Sequence, residues 1–181
     1  MQYESPMSSA ERSFRERLRR AAEAAGFSWV EDSGGKPVQF GELPTGSLLE
    51  VLESALRLLG DDLLGVVLFG SWVRGEAGAE SDLDVLLVLH PSFPLTRQLY
   101  RKWDQAEVRA KNRFVEVHFV HPPAERKRLS AFWAEVATDG LLLLDRGGRV
   151  SRALEEVRRR IAAGELVRRE IGGRTYWVEA A

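Results

Sequence analysis

Two aspartates one residue apart, Asp82 and Asp84, stand at the start of an apolar run from Leu83 to Leu89. On a strand, side chains at i and i+2 share a face, so both carboxylates point the same way. Carboxylate oxygens suit Mg2+ or Mn2+, and magnesium commonly takes one or two protein carboxylates together with substrate phosphates. Two like charges beside a strongly apolar strand are costly unless a cation holds them. Upstream, Gly70-Ser71 ends another apolar run, Leu63 to Phe69. A glycine there lets the backbone turn tightly and approach a ligand, and Ser71 offers a hydroxyl and an N–H of the kind that hold phosphate. Arg74 follows three residues later. A lone Gly-Ser or Ser-Asp-Leu-Asp is only a turn signal. A strand ending in Gly-Ser, then an arginine, then paired aspartates opening the next strand, is far more specific.

The elements around these residues follow from periodicity and breakers. Residues 8 to 25 read as a helix capped by Ser8 or Ser9, with Phe14, Leu18, Ala21, Ala22 and Ala25 on its apolar stripe. Residues 27 to 46 are dense in glycine and proline and read as loop with one short strand at most. A helix from Thr45 or Ser47 to Leu59 follows, its buried side carrying Leu48, Leu49, Leu52, Ala55, Leu56 and Leu59. Leu63–Phe69 and Leu83–Leu89 have the profile of strands buried on both faces. A helix around Leu95 to Arg109, a strand from Arg113 to Val120, a helix from Ala124 to Thr138 and a strand from Leu141 to Leu144 complete the central part. Ser151 to Ala163 is a helix rich in Glu and Arg, and Glu165 to Glu179 is a hairpin turning at Gly172-Gly173.

The expected fold class is therefore α/β, a small mixed sheet with helices packed on it. Residues 1–46 form an N-terminal helical extension and loop, 47–147 the central domain, and 148–181 a basic helix plus β-hairpin.

The 181 residues suit one domain with additions, and 44% apolar with 29% charged is ordinary globular composition. The longest apolar stretch, Leu63 to Gly70, is too short to span a bilayer. Without cysteine there is no disulfide framework, thiolate metal site or cysteine nucleophile. No secretory signal is visible at the start, so a cytoplasmic location and no membrane partner are expected. The net charge of −1 hides a skew: 22 of the 26 basic residues are arginine, and nine arginines face five glutamates from Arg146 onward. Such a surface can meet phosphate or an acidic partner, though most charge runs are solvated faces.

Gly70-Ser71, ten residues from Trp72 to Ser81, then Asp82-Leu83-Asp84 resembles the hallmark of the nucleotidyltransferases of the DNA polymerase β superfamily, specifically the minimal nucleotidyltransferase group. The flanking Leu-Phe-Gly-Ser-x-x-Arg-Gly-Glu-Ala and Ser-Asp-Leu-Asp-Val-Leu-Leu-Val also look like that family. The resemblance covers roughly residues 48 to 145. It implies a third carboxylate on a later strand, for which the candidate is Glu116 in Phe-Val-Glu-Val-His-Phe, although many relatives carry aspartate there. By alternation Phe114, Glu116 and His118 share one face, and His118 reads as a neighbour of the site, not as a ligand. Arg113 and His118 also match the Arg-x4-His pattern of HEPN ribonucleases, but that pattern works from a helix and this run has strand character.

The resemblance implies transfer of a nucleoside monophosphate, AMP from ATP, to a hydroxyl acceptor, with two Mg2+ ions or Mn2+ held by Asp82, Asp84 and Glu116. Gly70 and Ser71 would contact the β- and γ-phosphates, and Arg74 would neutralise the triphosphate unless it pairs with Glu76 or Glu80. Acceptors within the resemblance are a tyrosine of a partner HEPN toxin, which makes the transferase an antitoxin, and hydroxyls of aminoglycosides. No helical antibiotic-binding domain is recognisable, which favours a protein acceptor. The competing reading is a docking antitoxin whose metal site is vestigial. Nucleic acid is not the expected partner, since no RNA-binding domain is visible.

Overall fold

The computed structural model describes residues 9–34, 45–78, 81–106, 115–124, 129–172 and 174–179. In chain order these form α1 (Ser9–Ala24), β1 (Ser28–Asp32), α2 (Thr45–Leu59), β2 (Leu63–Phe69), α3 (Ser71–Arg74), β3 (Leu83–Leu89) and α4 (Arg97–Gln105). They continue with β4 (Val115–Val120), α5 (Ala131–Asp139), β5 (Leu141–Asp145), α6 (Arg149–Ala162), β6 (Leu166–Ile171) and β7 (Arg174–Glu179). The five-stranded sheet runs β1-β5-β2-β3-β4, and β6 and β7 form a separate hairpin. All neighbours in the sheet are antiparallel except β3 and β4. The mixed α/β class read from the sequence is the one observed.

The central strands are apolar on both faces because both faces are covered. On one side Val66, Leu68, Val85 and Leu87 pack with Leu18 and Ala22 of α1, Leu52 and Ala55 of α2, and Leu99 and Trp103 of α4. On the other, Val67, Leu86, Val88 and Leu142 meet Trp133, Val136, Leu154 and Val157 from α5 and α6. Each fully buried aliphatic side chain contributes roughly 1.5–3 kcal/mol, so this sandwich sets a rigid frame for whatever sits at the strand ends. No described helix is long and apolar enough to cross a membrane.

The one short strand allowed within the glycine-rich 27–46 region is Ser28–Asp32, joined to β5 at the edge of the sheet. One helix boundary needs adjustment. The helix expected from Ala124 begins instead at Ala131, where the Ser130 hydroxyl accepts the Trp133 N–H as N-cap; Ala124 lies outside the helix. The strand expected from Arg113 is described from Val115, and Arg113 and Phe114 lie outside the described residues. The hairpin packs back on the body: Leu166 is buried, and the Trp177 indole N–H donates to Glu135 at 2.9 Å.

Edge strand β1 is pinned across the molecule by Arg158 of α6. Its Nε donates to the Ala137 carbonyl and its Nη1 to Asp32, both at 2.8 Å. Burial alone would raise the Asp32 carboxyl, but the Arg158 guanidinium and the Gly34 N–H outweigh it and hold it below its ordinary 3.8. Arg158→Ala is expected to cost about 2 kcal/mol at pH 7, two partly exposed charge-assisted contacts being lost. A group with a lowered folded pKa stabilises above its unfolded value and loses that contribution as pH falls through the folded one. Denaturant titrations should therefore show the wild-type advantage shrinking below about pH 4, and a difference independent of pH would contradict the pairing.

Candidate active site

The site is assembled at one end of the sheet, where β2 finishes and β3 and β4 begin. β2 stops because Gly70 takes φ 81° and ψ −162°, a backbone region open essentially to glycine. A single helical turn, α3, follows and is closed by Gly75 at φ 72°. The return to β3 is tied down by its own loop: the Gly78 N–H donates to the Ser81 hydroxyl at 2.9 Å, and the Ser81 N–H to the Gly78 carbonyl at 3.1 Å. The Trp72 indole N–H then donates to the Ser81 carbonyl at 2.8 Å, fixing the residue immediately before Asp82.

Strand register lines up the rest. Phe69 of β2 lies opposite Asp84 of β3, which lies beside Glu116 of β4. Gly70 and Asp84 are so close that a Cβ on Gly70 would sit 2.2 Å from Asp84 Oδ2. Alternation along β4 brings His118 onto the face of Glu116. Its Nε2 is 3.5 Å from Asp84 Oδ1 and 3.8 Å from Glu116 Oε1. The buried Nε2 has no partner in hydrogen-bond geometry among the described residues, and once protonated it would pair with both carboxylates. Asp84 first, then the charge of Glu116, hold the imidazole above its ordinary pKa of 6.5 against the burial that would lower it. The Phe69 ring meets the imidazole edge-on, centroids 5.6 Å apart.

One ligand atom from each of Asp84, Glu116 and His118 falls within 4.8 Å of the others, a grouping suited to a divalent cation. Asp82 is exposed and is not in that group, but with Glu116 and His118 of the group it lines a cleft of about 560 Å3, together with Tyr100, Trp103 and Asp104. Gly70 and Ser71 stand at the head of α3, on the Asp84 side. Arg74 is already engaged, by Glu76 at 2.7 Å and by Glu135 at 3.7 Å. Sequence reasoning placed His118 beside the site, whereas the structure puts it between the two carboxylates. It also passed over Trp72, whose signal was an indole two residues from the glycine, and Glu135, a partner with no local signal at all.

Residues 48–138, about half the chain, match the model of the family described as nucleotidyltransferase domain. Over 48 residues the chain is 44% identical to Putative protein adenylyltransferase MJ1305 of Methanocaldococcus jannaschii. That match takes in 26% of this chain and 32% of that protein, so it spans about a third of the curated relative. Among solved structures the chain is similar to one in a toxin–antitoxin with AMP-PNP, at 19% identity and TM-score 0.45 over 67% of this chain and 89% of that one. It is also similar to a chain of a mutant MntA–HpeT toxin–antitoxin, at 18% identity and TM-score 0.42 over 61% and 83%.

Proposed function

Because the chain belongs to the nucleotidyltransferase domain family, we propose that it is a metal-dependent enzyme moving AMP from ATP onto a hydroxyl of a partner protein. The observation that carries this reading is the convergence of Asp84, Glu116 and His118 beside the Gly70 turn. Two carboxylates from adjacent strands, Asp84 and Glu116, and a third, Asp82, lining the adjoining cleft fit an oxygen-preferring divalent cation, Mg2+ or Mn2+. Bound there, two such ions supply charge neutralisation for the attacking and leaving oxygens of an in-line displacement.

Asp82, Asp84 and Glu116 would hold the ions, and Glu116 would also receive the proton of the attacking hydroxyl. The acceptor oxygen bonds to the α-phosphorus as the bond to the bridging oxygen breaks, and pyrophosphate leaves. Gly70 and Ser71 present backbone N–H groups and a hydroxyl to the β- and γ-phosphates. Arg74 neutralises the triphosphate by exchanging Glu76 and Glu135 for phosphate oxygens, a trade its fork geometry allows. The name of the Methanocaldococcus jannaschii relative supports both AMP and a protein acceptor. The sequence resemblance to the minimal nucleotidyltransferases extends the reading to a HEPN-type toxin as that partner.

The acceptor is identified by supplying ATP labelled on the α-phosphate, with Mg2+, to a lysate of the source organism and separating protein, RNA and small molecules. Label in the protein fraction is the expected result. Label confined to small molecules would move the assignment to an aminoglycoside-type transferase. No transfer from any of the four nucleoside triphosphates, with Mn2+ also tried, would overturn the enzyme reading and leave docking as the account.

A further inference from the structure

The opposite end of the sheet carries a second concave site. Leu63 pairs with Leu89 and Gly65 with Asp145, so the ends of β3 and β5 meet there, and parallel β4 ends beside them. At about 3.3 Å per residue, roughly 17 Å of strand separates Glu116 from His121 at this end. Between the strand ends and α6 lies a cleft of about 790 Å3. Its apolar lining includes Pro91, Pro122, Pro123 and Val157, and its charged lining is Arg149, Arg152, Arg160 and Glu156.

Among the described residues the charges do not cancel within the cleft. Glu156, the one carboxylate those residues place in the lining, is engaged through both oxygens by Arg159, which does not line the cleft. Arg160 is matched by Glu165. Arg152 donates to a neutral acceptor, the Gly147 carbonyl, at 3.0 Å, and Arg149 makes no ion pair among the described residues. Both arginines sit in the first turn of α6, which holds no acidic residue and where the helix dipole disfavours added positive charge. The amide donors of that turn are already taken: the Val150 and Ser151 N–H groups donate to the buried Asp145 carboxylate at 3.0 and 2.9 Å. An anion here would therefore be held by guanidinium side chains, which grip phosphate oxygens in pairs.

A volume of this size with an apolar floor and a cationic rim suits a small organic anion better than a bare ion. We propose that this cleft binds a phosphate-bearing small molecule of nucleotide size, its phosphates on Arg149 and Arg152 and its apolar part against the prolines and Val157. The site is separate from the carboxylate cleft and stands whether or not nucleotide transfer does.

The test is calorimetric titration of the full chain with ADP, and separately with inorganic pyrophosphate, in EDTA so that no divalent ion is available. Wild type and Asp84→Asn should bind ADP equally. Arg149→Gln/Arg152→Gln should bind it at least about tenfold more weakly. Both side chains are exposed, so the double variant should melt no lower than wild type, and its transfer activity should be unchanged. Absence of saturable ADP binding by wild type, or equal binding by the arginine variant, would overturn the proposal. So would a single-stranded RNA 12-mer that displaces ADP with about a hundredfold tighter affinity, which would make the cleft a nucleic-acid surface.

Discussion

Asp84→Asn is expected to lower nucleotide transfer by about 10³-fold or more while leaving the fold intact. Asparagine keeps the volume and can still sit against Gly70, but it removes the charge from the centre of the site. Asp84 joins several parts of the site: it faces Phe69 in register, lies beside Glu116, and reaches His118 at 3.5 Å. Charge stabilisation by a held divalent ion is worth several kcal/mol, and at 1.36 kcal/mol per decade that converts to about three decades of rate. Melting should stay close to wild type, because the lost attraction to His118 and the lost repulsion from Glu116 act in opposite directions. Steady-state transfer kinetics and a melting curve on the same preparation check both halves. Transfer within tenfold of wild type would remove Asp84 from the chemistry.

Gly70→Ala should damage both stability and activity, and for two separable reasons. The backbone at φ 81° and ψ −162° costs a non-glycine residue of order 1–3 kcal/mol. The new Cβ would also stand 2.2 Å from Asp84 Oδ2, so the carboxylate must move. A loss of about 2–3 kcal/mol and at least about a hundredfold in transfer is expected, since a displacement of 1 Å in a catalytic group is costly. A double-mutant cycle isolates the collision: in an Asp84→Ala background the same substitution should cost about 1 kcal/mol less, leaving only the backbone contribution. An identical cost in both backgrounds would mean that Gly70 serves the turn alone and does not shape the site.

The strands that frame the site were readable because they are buried on both faces. Leu63–Phe69 and Leu83–Leu89 carry no polar residue except Asp84, and nothing but a central strand or a buried helix tolerates that. β1 was nearly invisible for the opposite reason: Ser28–Asp32 is a half-exposed edge whose partner, β5, lies over a hundred residues later. The helix at 131–139 was placed too early because its cap, Ser130, is one of several polar residues that could have served. Spacing was enough to single out Gly70, Ser71, Asp82 and Asp84 as candidates, since they follow one another along a strand, a turn and a strand. It could not show that Gly70 lies against Asp84, that His118 stands between two carboxylates, or that Arg74 reaches Glu135. Those facts depend on strand register and on α5 crossing over the turn, and register is a tertiary outcome. Asp145 makes the same point: in the sequence it marks the end of a strand, while in the fold it is a buried carboxylate that caps α6.

In the proposed transfer the bond broken lies between the α- and β-phosphates, and the paired aspartates are required to break it. Parallel reactions with ATP labelled on the α- or the γ-phosphate, with wild type and with Asp82→Asn/Asp84→Asn, test it most directly. With wild type, α-label should enter the acceptor and γ-label should leave as pyrophosphate, and the double variant should do neither above background. Transfer of γ-label to the acceptor, or equal α-label transfer by wild type and variant, would contradict it.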